Sequence, residues 1–131
     1  MLYYAGMIHK RNAVLVVRQC LTVVAIISLF FFFFGYSLIY GPPNPSSSNR
    51  SSLFYGDASR LWFWGINPTS INSLAPTIPE AIYALFELNF AIITATLVMG
   101  SMADRVKFSS MAIFTILWHI GVYCPIAHSN W

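Results

Sequence analysis

Long uncharged runs alternate with short polar stretches along this chain. Residues 19–40, "QCLTVVAIISLFFFFFGYSLIY", carry no charge, and none follows before Arg50. Residues 81–102, "AIYALFELNFAIITATLVMGSM", contain a single carboxylate, Glu87. Residues 108–131 are uncharged throughout. The apolar core of a bilayer takes about 20 residues of helix at about 1.5 Å rise each. The pattern therefore predicts three membrane-spanning helices, over about 19–40, 81–102 and 108–131, with a long loop at 41–80. A buried helix of a soluble domain is the alternative for any one run, and three such runs in 131 residues argue against it. The first run is also too long for the apolar core of a signal peptide, and residues 1–9 are not a basic leader.

Composition gives the same class. Hydrophobic residues make up 57% of the chain and charged ones 8%, where a soluble domain carries about a quarter charged. Too few charged side chains are present to build a water-facing surface. The expected fold class is all-α, a multi-span helical membrane protein in a lipid bilayer, and no nucleic-acid partner is expected.

Basic residues next to the runs set the orientation. Lys10, Arg11 and Arg18 precede the first run, and Arg105 and Lys107 lie in the turn "SMADRVKFS" between the second and third. The 41–80 loop holds only Arg50 and Arg60. The richer side is read as cytoplasmic, which puts the amino terminus inside and both the 41–80 loop and Trp131 outside.

That loop has two halves. "GPPNPSSSNRSS", 41–52, cannot continue a helix and reads as a flexible connection. Its Asn49-Arg50-Ser51 is an N-glycosylation acceptor pattern, of a kind that also arises by chance. "RLWFWGINPTSINSLAPTIPE", 60–80, reads instead as a short interfacial or packed segment, with Trp62, Phe63 and Trp64 suited to the headgroup region. Pro79 and Glu80 suit the start of a helix.

Catalytic and metal-binding patterns find little support. Cys20 and Cys124 lie in different runs without ligand spacing and read as apolar fillers. CxxC, HExxH, GxSxG and Gly-rich phosphate loops are all absent. His9, His119 and His128 offer ligands for a haem or metal anchor, but the last two are nine apart on one helix and do not share a site. The chain reads as a non-enzyme with no cofactor.

Glu87 is more informative, because a carboxylate within a span is costly and faces a protein interior or an aqueous cavity. It lies seven residues past Glu80, about 10 Å along a helix. Tyr83, Phe86, Glu87 and Phe90 recur at spacings of three and four and form one stripe. Rings attract cations by about 0.5–2 kcal/mol each, so the stripe can receive a small cation. An aromatic packing stripe with Glu87 reaching to the interface is the plainer reading, and the stripe alone favours it.

Three segments shift that balance. "WFWGINPTSINSLAPTIPE" (62–80), "FAIITATLVMGSMADRVKFSSM" (90–111) and "YCPIAHSNW" (123–131), in this order, resemble the ammonium transporter family. "LYYAGMIHKRNAV" (2–14) resembles the end of that family's first span, and "FGYSLIYG" (34–41) the close of its second. The resemblance covers residues 1–131 apart from the Pro/Ser insert, as three full spans plus a stub of a partial ammonium-transporter fold. It implies a bundle of about eleven helices with an inverted repeat, assembled as a homotrimer in the plasma membrane, with one pore per subunit. It further implies an outer aromatic vestibule for the ammonium ion, stacked phenylalanines below it and a histidine pair deeper in the pore. By motif, Phe90 matches the outer gate phenylalanine, Trp131 the vestibule tryptophan and Phe86 its neighbouring aromatic. His128 matches a histidine of the "PIAH" motif, which is not one of the pore pair.

The sequence departs from the family pattern at several positions. Glu87 stands where the family usually has glutamine, an accessory charge expected to strengthen cation attraction. Arg18 stands where the family is usually uncharged. Phe30–Phe34 is read as lipid-facing bulk. One half of an inverted repeat does not enclose a pore, so an open wall is expected to leave Glu87 and the vestibule rings facing lipid or a partner. The function implied is ammonium or ammonia transport as part of a longer transporter. The alternative is a truncated, non-transporting membrane protein that associates with full-length subunits.

Overall fold

Apolar side chains at spacings of three and four decide which helix faces meet. The structure, a computed structural model, describes residues 2–7, 12–41, 54–102 and 105–130. A short helix, α1 (Leu2–Met7), precedes three long ones. These are α2 (Ala13–Tyr40), α3 (Glu80–Ser101) and α4 (Phe108–Asn130), each long and apolar enough to cross a membrane. Two antiparallel strands, β1 (Ile71–Asn72) and β2 (Ala75–Pro79), form a small hairpin that leads into α3. Helix α2 is central, and both α3 and α4 pack on it.

The buried stripes show why. On α2 the row Val16, Cys20, Val23, Ile27 and Phe31 is buried, and on α3 the row Ala84, Glu87, Ala91, Ala95 and Met99. Three alanines on that face let the α3 backbone come close, the usual means of helix association in lipid. On α4 the buried residues Met111, Thr115, His119, Cys124 and Ala127 include one step of five. That step coincides with a π-helical turn, His119–Tyr123. A wider turn takes up the extra residue and keeps the stripe on one face.

Helix α2 has a π turn of its own at Phe31–Gly35. Phe31 continues the buried row by a regular step of four and is 1% exposed, and the wide turn after it brings Tyr36, five residues on, back to the same face. A side chain at 35 would lie 3.3 Å from the Phe31 ring, so glycine accommodates it. The phenylalanine run is thus lipid-facing only in part: Phe32 and Phe34 stay exposed, as expected, while Phe31 is buried and Phe30 and Phe33 are half-buried. Phe30 meets His119 edge-on at 5.3 Å, Phe32 stacks on Phe63 at 5.1 Å and Phe33 contacts Trp62 at 4.5 Å. Residues 60–64 fold onto this part of α2 through a short 3-10 turn, Leu61–Phe63, with Trp62 and Phe63 at φ of 59° and 58°. Non-glycine residues pay about 1–2 kcal/mol for that left-handed conformation, and the ring contacts offset it. Trp62 and Trp64 stay exposed, and Phe63 packs inward.

Helix α2 also begins earlier than the uncharged run, at Ala13 rather than 19. Arg18 does not end it, because its guanidinium lies over the Phe108 ring, 4.7 Å from the centroid, at the start of α4. Cys20 and Cys124 are free and buried. His119 is fully buried, and neither ring nitrogen has a hydrogen-bond partner among the described residues. Its ring stacks on Tyr123 at 4.7 Å, while His128 places Nδ1 2.7 Å from the Ile39 carbonyl oxygen. The two histidines therefore occupy different surroundings.

Two substitutions probe this packing. A Cβ at Gly41 would meet the Ser37 carbonyl oxygen and come within 2.7 Å of the Asp57 carbonyl oxygen. Gly41→Ala is expected to destabilise the chain by about 1–3 kcal/mol, read as a lower unfolding midpoint in lipid nanodiscs. His119→Leu removes the two unpartnered nitrogens and is expected to raise stability by about 1 kcal/mol in the same measurement.

Candidate functional site

The α3 start is tied down from three sides. Pro79, with φ −57° and ψ 138°, precedes the first turn, and the Glu80 amide donates to the Ser70 carbonyl at 2.8 Å. The Glu80 carboxylate, 2% exposed, accepts a 2.9 Å hydrogen bond from the Tyr36 hydroxyl through Oε1. Asn72 Nδ2 donates in turn to the Tyr36 oxygen at 3.1 Å. Oε2 of Glu80 lies 3.5 Å from an Arg60 guanidinium nitrogen. The same nitrogen donates to the Gly65 carbonyl.

Two turns further along α3 the arrangement repeats. Glu87 is 4% exposed and accepts a 2.6 Å hydrogen bond from the Tyr40 hydroxyl. Tyr36 and Tyr40 are four apart on α2, Glu80 and Glu87 seven apart on α3, so both pairs keep to facing stripes. The tyrosine rings lie 5.3 Å apart, and Tyr83 approaches Tyr40 edge-on at 5.4 Å. A buried carboxylate without donors costs several kcal/mol. Here each has a phenol from the neighbouring helix.

The single stripe expected from spacing is therefore two rows. Tyr83 and Glu87 face the core, while Phe86 and Phe90 are about half exposed on the adjoining face. Those two rings meet edge to face at 5.0 Å. Glu87 does not face lipid or a partner, as an open wall had suggested. Tyr40, reaching across from α2, draws it inward.

Glu87 and Phe90 come together again at a cleft of about 290 Å³ between α3 and α4. Trp118 and Tyr123 of α4 face them across it, with Thr94 and Asn130 also on the wall. Its chemistry is a carboxylate set among aromatic and aliphatic side chains. A second cleft, about 420 Å³, lies between the end of α2, the hairpin and the start of α3. Tyr40 lines this second cleft, while the Glu87 carboxylate to which it donates lines the first. Trp131 and Asn49 lie outside the described residues. Tyr40, Trp118 and Tyr123 were not singled out from sequence. The only signal for Tyr40 was its spacing of four from Tyr36.

Comparison with known proteins agrees with the resemblance read from the motifs. The Ammonium Transporter Family matches across residues 1–131. A putative ammonium transporter of Methanothermobacter thermautotrophicus is 35% identical over 130 residues, covering 99% of this chain and 30% of that protein. The ammonium transporter of Bacillus subtilis is 30% identical, over 99% of this chain and 30% of its own length. Ammonium transporter 3 of Schizosaccharomyces pombe is 35% identical, over 99% and 23%. The chain thus spans less than a third of the length of these relatives. With three helices fit to cross a membrane and a match along its whole length, the chain belongs to the ammonium transporter family.

Proposed function

We propose that this chain serves ammonium or ammonia transport as part of a longer transporter, supplying one wall of the outer cation-receiving vestibule and its gate. The observation that carries the reading is the shared cleft of Glu87, Phe90, Trp118 and Tyr123. A carboxylate supplies a counter-charge, and ring faces replace part of a cation's hydration shell. Phe86 and Phe90 are the vestibule and gate rings on α3, and Trp131 is the vestibule tryptophan. The amino terminus lies in the cytoplasm, and the hairpin end faces outward in the plasma membrane. The full-length form is a homotrimer.

The half-exposed faces of Phe86 and Phe90 fit this role, because a wall needs further helices opposite it to close a pore. Expressed alone in cells lacking their own ammonium transporters, the 131-residue chain is expected to give no methylammonium uptake above the empty vector. Exchanged for the matching segment of the Methanothermobacter relative, it is expected to support uptake. Phe90→Ala in that chimera should lower uptake about tenfold. A chimera that reaches the membrane and transports nothing contradicts the proposal.

A further inference from the structure

The carboxylate of Glu87 is held by a donor from another helix. A Glu side chain on a helix has three rotatable bonds, and near a cleft it is free to turn away. Here the Tyr40 hydroxyl, on a different helix, donates to its Oε2 at 2.6 Å. Tyr40 is itself fixed between the Tyr36 ring at 5.3 Å and the Tyr83 edge at 5.4 Å. The Tyr36 hydroxyl is tied in turn to Glu80 and Asn72. The phenol that meets Glu87 is thus pre-organised by a chain of contacts reaching the hairpin. The carboxylate it holds is 4% exposed and lines the cleft that also contains Phe90, Trp118 and Tyr123.

We infer that Tyr40 is a positioning residue that fixes the Glu87 carboxylate on the cleft wall, so that the cation attraction proposed for this cleft depends on the Tyr40 hydroxyl. The inference rests on the proposed transport reading and deepens it. A fixed carboxylate in a low-dielectric wall attracts a cation far more strongly than a mobile one in water. It also offers an N–H donor an acceptor, while the three rings offer it π faces. A neutral molecule gains only the contact area. Tyr40 touches no ligand in this scheme and acts through Glu87.

The test is equilibrium binding of radiolabelled methylammonium to the 131-residue chain in lipid nanodiscs, with acetamide as a neutral competitor. The wild-type chain should bind saturably, and acetamide should not compete. Tyr40→Phe keeps the ring and removes the hydroxyl, and it should weaken binding about three- to tenfold. Glu87→Gln should weaken binding by about tenfold or more. In the Glu87→Gln background, Tyr40→Phe should cost nothing further, a result that a merely structural role does not give. Glu87→Asp keeps the charge but withdraws it from the phenol, and it should weaken binding as Tyr40→Phe does. This second variant carries the test if Tyr40→Phe fails to fold. Wild-type affinity in Tyr40→Phe or in Glu87→Asp overturns the inference and leaves the transport reading standing. Competition by acetamide would mean that the Glu87 charge does not govern binding, and it overturns the inference as well. No saturable binding by the wild-type chain overturns the site itself, and the chimera's uptake then decides separately whether the transport reading survives.

Discussion

Two carboxylates buried on one face of a membrane-spanning helix must find donors, and the neighbouring helix supplies them. Tyr36 meets Glu80 and Tyr40 meets Glu87, and these pairs fix how α2 and α3 stand against each other. Apolar packing alone leaves helices in lipid with several comparable registers, because tails and side chains are equally apolar. A hydrogen bond from a phenol to a buried carboxylate discriminates among them, since a register that parts the two groups leaves the carboxylate buried without its donor. The alanines of α3 then allow close approach, and the Tyr–Glu pairs choose where it happens.

The rest of that end of the molecule follows from this register. Glu80 draws Arg60 and, through Tyr36, Asn72, so the segment after residue 54 and the hairpin are drawn onto the helix ends. Phe63 closes over Phe32 and Tyr36, and a left-handed backbone at Trp62 and Phe63 is tolerated for the contact. On the other side, α4 leans on α2 rather than on α3, and the space left between α3 and α4 is the cleft. The π turn in α4 sets Tyr123 on its wall and returns Cys124 and Ala127 to the core. The cleft is therefore a product of helix register and of a wide turn, more than of any local motif.

Much of this was legible from the sequence. Three spans followed from uncharged runs, the family from ordered motifs, and the α3 start from Pro79 and Glu80. What escaped did so for identifiable reasons. Arg18 looked like a boundary because its ring partner, Phe108, is ninety residues away in sequence. The Phe30–Phe34 run looked like lipid-facing bulk, and Phe32 and Phe34 are exposed, but the partners of Phe30, Phe32 and Phe33 are His119, Phe63 and Trp62, far along the chain. Tyr83, Phe86, Glu87 and Phe90 looked like one stripe because spacings of three and four cannot separate adjoining rows. Only the tyrosines of α2, 44 and 47 residues before their acceptors, show which row is buried.

The most direct measurement is a double-mutant cycle on the unfolding free energy of the chain in nanodiscs, with Tyr36→Phe, Glu80→Gln and the pair. If this hydrogen bond sets the register of α2 and α3, the two changes should be coupled by about 1 kcal/mol or more. Strict additivity, with each single change costing little, would mean that apolar packing alone holds these helices and would contradict the account.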